Sequence, residues 1–318
     1  MTVVQVASPH ESRPLAGDRP DRLALAGQLR SALVAGANTG GGWGYYPGKS
    51  SRIEPTCWAL LALAGTSNEP VDVWRSSADT HLRFLARSQR SDGLLLDLPT
   101  VPNLGFNGLA ALVCQQLGGS VCDTILTRLV PALVRIKGIS VKNTQRPSDA
   151  LQGWPWIEET FSWVEPTALC LLALKRGRRA GSSPGIDARV HEADNVLLTR
   201  SCTAGGWNYG NASVYDQDLR PYVPTSALGL IALADQRTDP VVVRGLEFLR
   251  RNQLNEPSGM ALALTALCLR IYGLPYDEVE HALTDDLARV NRLNNLHITA
   301  MVLYALSAER HEAAAFTL

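Results

Sequence analysis

EPTCWALLALAG (Glu54–Gly65), EPTALCLLALKR (Glu165–Arg176) and VPTSALGLIALAD (Val223–Asp235) share one pattern. Each opens on Pro-Thr and continues through Ala and Leu. Three looser copies follow the same plan: LGFNGLAALVCQQLGG from Leu104, EPSGMALALTALCLRIYG from Glu256 and LHITAMVLYALSAER from Leu296. Self-similarity of this kind marks a repeat architecture. Ala and Leu are the strongest helix formers. Pro55, Pro166, Pro224 and Pro257 suit a first helical turn, where a backbone N–H has no helical partner to lose. The runs are apolar nearly all round, so each predicts a helix buried on every side.

Amphipathic stretches alternate with these runs: Asp21–Gly36, Val73–Gln89, Val121–Lys137, Asp187–Arg200, Pro240–Gln253 and Asp277–Leu293. HLRFLARSQ and GLEFLRRNQ show apolar spacing of three and four with Arg on the other side. Six buried and six half-exposed helices predict an all-α fold, an inner ring inside an outer one, that is, an (α/α)6 toroid. An open solenoid would need polar caps at both ends, and no terminal repeat shows one. Connections into the buried helices are the long ones, notably Ala37–Ile53, Gly138–Val164 and Ser201–Val223, so they should gather at one mouth of the ring and carry function there.

The totals agree with one large domain. The 318 residues are 46% hydrophobic, ample for a core. Residues 1–20 carry Pro9, Pro14 and Pro20 and read as a loose tail before a domain spanning 21–318. Thirty basic and thirty acidic residues cancel, with no basic stripe, which argues against nucleic acid. The six cysteines are scattered singly, four of them (Cys57, Cys114, Cys170, Cys268) inside apolar runs, as buried thiols of a reducing compartment would be. With no signal-peptide pattern and no 18-residue apolar run, the expected location is cytoplasmic. Membrane contact and oligomeric state stay open.

GGWGYYPGKSSRIEPTCWALLAL (Gly41–Leu63), GWPWIEETFSWVEPTALCLLAL (Gly153–Leu174) and GGWNYGNASVYDQDLRPYVPTSALGLIAL (Gly205–Leu233) resemble the repeats of the squalene-hopene cyclase and protein-prenyltransferase superfamily. That resemblance implies an (α/α)6 barrel, here a single stand-alone one, with a small-molecule, apolar or isoprenoid substrate in its cavity. The family's Gln–Trp repeat is partly kept: Gln89 precedes Asp92-Gly93, with Leu94 read as standing where Trp is usual. Cys202 stands near where Gln is usual before Trp207.

The Asp-x-Asp-Asp acid of class II terpene cyclases is missing. The corresponding place reads Tyr222-Val223-Pro224-Thr225, and the nearest acids are Asp216 and Asp218. These two, with Glu165, are the candidate catalytic acids, because protonating an alkene needs a preorganised carboxylic acid tuned by a second carboxylate. Asp285-Asp286 lie on an outer helix and read as solvated. No DDxxD and no Walker loop is present, so no cofactor is expected. His297 resembles the zinc-binding His of prenyltransferases, but Glu256 and Ser258 occupy the place of the Asp-x-Cys pair, and Ser lacks a thiolate, so no metal is expected.

Glu54, Glu165 and Glu256 each precede a Pro and an inner helix, where the helix dipole should favour the ionised carboxylate. Glu-Pro-Thr also reads simply as a helix-start device. Ten of twenty aromatics precede inner helices, among them Trp43, Tyr45, Trp154, Trp156, Trp163, Trp207, Tyr209 and Tyr215. Together with Glu54 and His297 these are the candidate substrate contacts, or else plugs between repeats. Three functions stay open: acid-initiated isoprenoid cyclisation, a non-catalytic prenyl-lipid or protein-binding module, and a carbohydrate-active enzyme pairing Glu158 or Glu159 with Glu54 or Glu165.

Overall fold

The computed structural model describes residues 22–66, 71–97, 103–140, 150–181, 183–215, 217–285, 294–307 and 315–318. The tail expected over 1–20 and the expected acid Asp216 lie outside the described residues, as do Asp286 and the second half of Asp277–Leu293.

Six helices form the inner ring: α2 (Ile53–Thr66), α4 (Phe106–Leu117), α6 (Val164–Ala180), α8 (Val223–Ala232), α10 (Gly259–Ile271) and α12 (Leu296–Ser307). Six others surround it: α1 (Arg22–Ala35), α3 (Val71–Arg87), α5 (Ser120–Arg135), α7 (Pro184–Thr199), α9 (Pro240–Asn252) and α11 (Asp277–Asp285). Each inner helix packs on the next, and α12 returns to pack on α2, so the ring closes. The chain is an (α/α)6 toroid. The solenoid alternative fails on that α12–α2 seam.

Composition explains the layering. Every residue of α8 and α10 in the runs Val223–Ala232 and Gly259–Leu269, except Met260, is buried, because both sides of an inner helix meet other helices. In α9 only Val242, Gly245 and Leu249 are buried, a single stripe at helical spacing. All six cysteines are buried thiols, and none forms a disulfide.

Two elements depart from expectation. Pro257 lies before α10 rather than in its first turn, because the Ser258 Oγ caps that helix by accepting from Ala261 N at 3.2 Å. A short antiparallel hairpin, β1 (Ser213–Val214) with β2 (Gln217–Asp218), interrupts the otherwise helical chain in the loop before α8. Among the described residues no helix is long and apolar enough to cross a membrane.

Candidate active site at the mouth of the ring

The Gly-Trp loops build the joints between the rings. Trp43, Trp154 and Trp207 are 1%, 0% and 0% exposed. Each indole Nε1 donates to a carbonyl near the end of the preceding outer helix: Trp43 to Leu33, Trp154 to Leu133 and Trp207 to Leu197. Each backbone N–H of these Trp donates to a hydroxyl at the start of the following inner helix: Thr56, Thr167 or Ser226. These three Trp, expected as candidate substrate contacts, therefore plug joints and do not face the mouth. The Thr of Pro-Thr is the anchor for Trp43 and Trp154, and Ser226, one residue after Pro224-Thr225, is the anchor for Trp207.

Two glycines make the turn possible. Gly41 and Gly205 have φ +94° and +85°, and a Cβ on either would lie 2.3 or 2.5 Å from a carbonyl oxygen of the neighbouring outer helix. Gly93 (φ +98°) meets Arg128 O in the same way, which fixes the register of the loop before α4. By that register Leu95, not Leu94, takes the place of the Trp. Its N–H donates to Asn107 Oδ1 at 2.7 Å, so Asn107 stands in for Thr56.

The long loops do gather at one mouth, and each ties the N-terminus of an inner helix to the loop of a neighbour. Ile53 N donates to Asp97 Oδ1, Leu104 N to Trp156 O, and Val164 N to Tyr209 O. Val223 N donates to Glu256 Oε1, and Leu296 N to Tyr45 O. Glu256 is thus spent capping α8.

Glu54 and Glu165 sit in the first turns of α2 and α6. Burial pushes the Glu54 carboxyl up to about 7, against a lowering by the Tyr45 hydroxyl, which donates to Oε2 at 2.5 Å. Burial, reinforced by the charge of Glu54, pushes Glu165 up to about 8. At both, loss of water opposes the ionisation that the helix dipole favours. His297, in the first turn of α12, has Nε2 3.3 Å from Glu54 Oε1, and burial lowers its imidazole to about 4. Near neutral pH the imidazole is uncharged.

Below Glu54, one turn along the same face of α2, lies Trp58. Its ring is 6.5 Å from that of His297 and 5.9 Å from that of Tyr304. Tyr45 meets His297 edge-on at 5.8 Å. Arg52 pairs with the buried carboxylate of Asp97, holding Tyr45 and the start of α2 against the next loop.

The other expected residues are dispersed. Trp156 packs edge-on against Phe106 at the start of α4, and Trp163 leans on the exposed Phe161. Tyr209 is half exposed and pairs with Tyr222, while Tyr215 is 93% exposed. Asp218 is exposed on β2, and Glu158 and Glu159 are exposed on their loop. The structure therefore brings together Tyr45, Glu54 and His297, with Glu165 within electrostatic reach. Sequence reasoning missed Trp58, Tyr304, Arg52 and Asp97. Trp58 was signalled by its place four residues after Glu54, but inside an all-apolar run it reads as ordinary core.

No family profile and no curated protein sequence matches the chain. Solved structures do. A family 76 glycoside hydrolase, an α-mannanase of Bacteroides thetaiotaomicron, superposes with TM-score 0.64 at 10% identity, over 93% of this chain and 96% of its own. The cellobiose 2-epimerase of Spirochaeta thermophila gives 0.61 at 12%, over 91% and 96%. A type II terpene cyclase from Scytonema, in complex with geranylgeranyl dihydroxybenzoate, gives 0.56 at 16%, over 91% and 98%. At such identities the likeness establishes the toroid fold, which hosts both carbohydrate and terpenoid chemistry.

Proposed function

We propose that the mouth is the active site of a carbohydrate-active enzyme that breaks a glycosidic bond by acid–base catalysis, with Glu54 and Glu165 as the pair. The observation that carries this reading is two carboxyls at the starts of two inner helices on one mouth, both pushed up by burial, with the charge of Glu54 raising Glu165 further. Losing one proton from such a pair leaves one carboxylate beside one carboxylic acid, the division of labour that glycoside hydrolysis needs. Glu54, supported by the Tyr45 hydroxyl, ionises first and is the base. Glu165 keeps its proton and is the acid. Glu165 gives that proton to the glycosidic oxygen as the C–O bond breaks. Glu54 takes a proton from the water that attacks the sugar carbon, and solvent returns the pair to its starting state. The carbohydrate-active toroids among the structural neighbours support this reading.

A second reading is acid-initiated cyclisation of an isoprenoid. It is favoured by the aromatic group Trp58, Tyr304 and Phe316 beneath the acids. In that case Glu165 is the proton donor and no partner base is needed at the first step.

One experiment separates them. The protein is incubated with manno- and gluco-configured oligosaccharides, and in parallel with geranylgeranyl dihydroxybenzoate, and products are followed by mass spectrometry. The first reading expects sugar products lost at least about 100-fold in both Glu54→Gln and Glu165→Gln, the lower end for a general acid or base. Cyclic terpenoid lost only in Glu165→Gln supports the second. Turnover of sugar retained in both variants refutes the assignment of the pair, and no product from either substrate leaves a binding module.

A further inference from the structure

The centre of the ring is occupied by the chain itself. Phe316 is 0% exposed and stacks on Trp58 of α2, with centroids 5.2 Å apart and planes 16° from parallel. It also meets Tyr304 of α12 edge-on at 5.8 Å. The Tyr304 hydroxyl accepts from Ala315 N at 2.9 Å, and Arg176 of α6 donates to Thr317 O at 2.9 Å. In the order α2–α4–α6–α8–α10–α12, helix α6 stands diametrically opposite α12. A four-residue segment that touches α12, α2 and α6 can only cross the lumen.

Helical spacing places this segment beneath the acids. Trp58 follows Glu54 by one turn, Tyr304 follows His297 by two and Arg176 follows Glu165 by three, so each pair shares a face of its helix. The segment therefore closes the lumen from the far end, and Phe316 forms the floor of the mouth through Trp58. The walls it touches are aromatic, and its own side chain there is an apolar ring, which defines the chemistry of whatever replaces it.

We propose that residues 315–318 are a self-ligand: a displaceable plug in a lumen site for an apolar chain, which limits the depth of the active site until it leaves. The segment belongs to no helix, and Phe316 meets the ring through the Trp58 stack and the Tyr304 edge while Ala315 and Thr317 hydrogen-bond to side chains of α12 and α6. The catalytic importance of the plug rests on the reading of Glu54 and Glu165 as the site's acids, whereas its displacement does not.

The test is read without turnover. Native-state hydrogen exchange on the full chain follows the Ala315 amide, with farnesol as the apolar probe. A displaceable plug gives Ala315 exchange at least tenfold faster than the amides of Leu303 and Leu171 in the inner helices, and faster again when farnesol is added. Ala315 exchange as slow as those amides and unmoved by farnesol overturns the proposal. In parallel, Phe316→Ala is expected to bind farnesol at least tenfold more tightly than wild type, because apparent affinity falls with the fraction of molecules whose site is open. Equal affinity in a folded Phe316→Ala also overturns it. If that variant does not fold, the exchange result on the wild type decides. Loss of the acid-pair reading shows instead as turnover in the Glu→Gln variants, with farnesol exchange unaffected.

Discussion

Glu165→Gln should flatten the pH dependence of stability above pH 6.5. The substitution keeps shape and hydrogen-bonding capacity but cannot ionise. In the unfolded chain Glu165 titrates near its ordinary 4.5, and in the folded chain near 8. A folded-state value above the unfolded one means that the folded chain keeps the proton longer. The stabilisation is therefore complete below pH 4.5 and is lost as pH rises towards 8. Below pH 6.5 His297 obscures this, because its imidazole is lowered from 6.5 to about 4 and contributes a change of the opposite sign there. Between pH 6.5 and 8 the unfolded imidazole is already mostly neutral. Each pH unit across that window costs up to about 1.4 kcal/mol per group, so Glu165 accounts for a loss on the order of 2 kcal/mol. Glu54, with its value near 7, adds a smaller loss over the same window. Urea unfolding of wild type and Glu165→Gln at pH 6.5 and at pH 8 measures the difference directly. The wild type should weaken by about 2 kcal/mol more than the variant. Parallel behaviour of the two proteins would refute the claim that burial holds this proton.

Two further predictions concern the frame. Arg52→Ala leaves the Asp97 carboxylate, with its side chain 1% exposed, without its cation. A loss of about 3 kcal/mol is expected, the low end for breaking a buried pair because Arg52 keeps some access to water, and denaturant unfolding checks it. The glycines separate by environment. Gly205→Ala should destabilise by more than about 1 kcal/mol, since its φ is +85° and its Cβ would meet Arg244 O at 2.5 Å, whereas Gly27→Ala on the exposed side of α1 has open space and should stabilise by about 0.5–1 kcal/mol. Thermal unfolding of the two variants against wild type tests both signs.

The ring was legible in the sequence because burial on every side leaves a signature that half-burial does not. EPTALCLLALKR can only be an inner helix, and HLRFLARSQ only an outer one. The direction of the mouth was legible too, from loop length alone. The roles of the aromatics were not. Trp43, Trp154 and Trp207 have the composition of a binding surface, and only the indole bonds to Leu33, Leu133 and Leu197 show them to be plugs. Of the acids, Glu54 and Glu165 lie at the helix starts where the sequence put them, whereas Asp218 is exposed, and the burial that disfavours the two glutamates' charge had no signal, because a helix dipole can be read from sequence and the depth of water cannot. Phe316 gave no signal, since a segment that folds into the lumen follows no period of its own.

The seam between α12 and α2 also has a consequence for biosynthesis. Helix α12 is the last inner helix to leave the ribosome, and until it arrives the flanks of α2 and α10 that it covers are bare hydrocarbon, Trp58 among them. Those surfaces are separated by most of the chain, so no local contact can hide them in the meantime. A nascent or truncated chain lacking residues 296–318 is an open arc with two adhesive ends, a species prone to head-to-tail association with its own kind and in need of a chaperone's shelter.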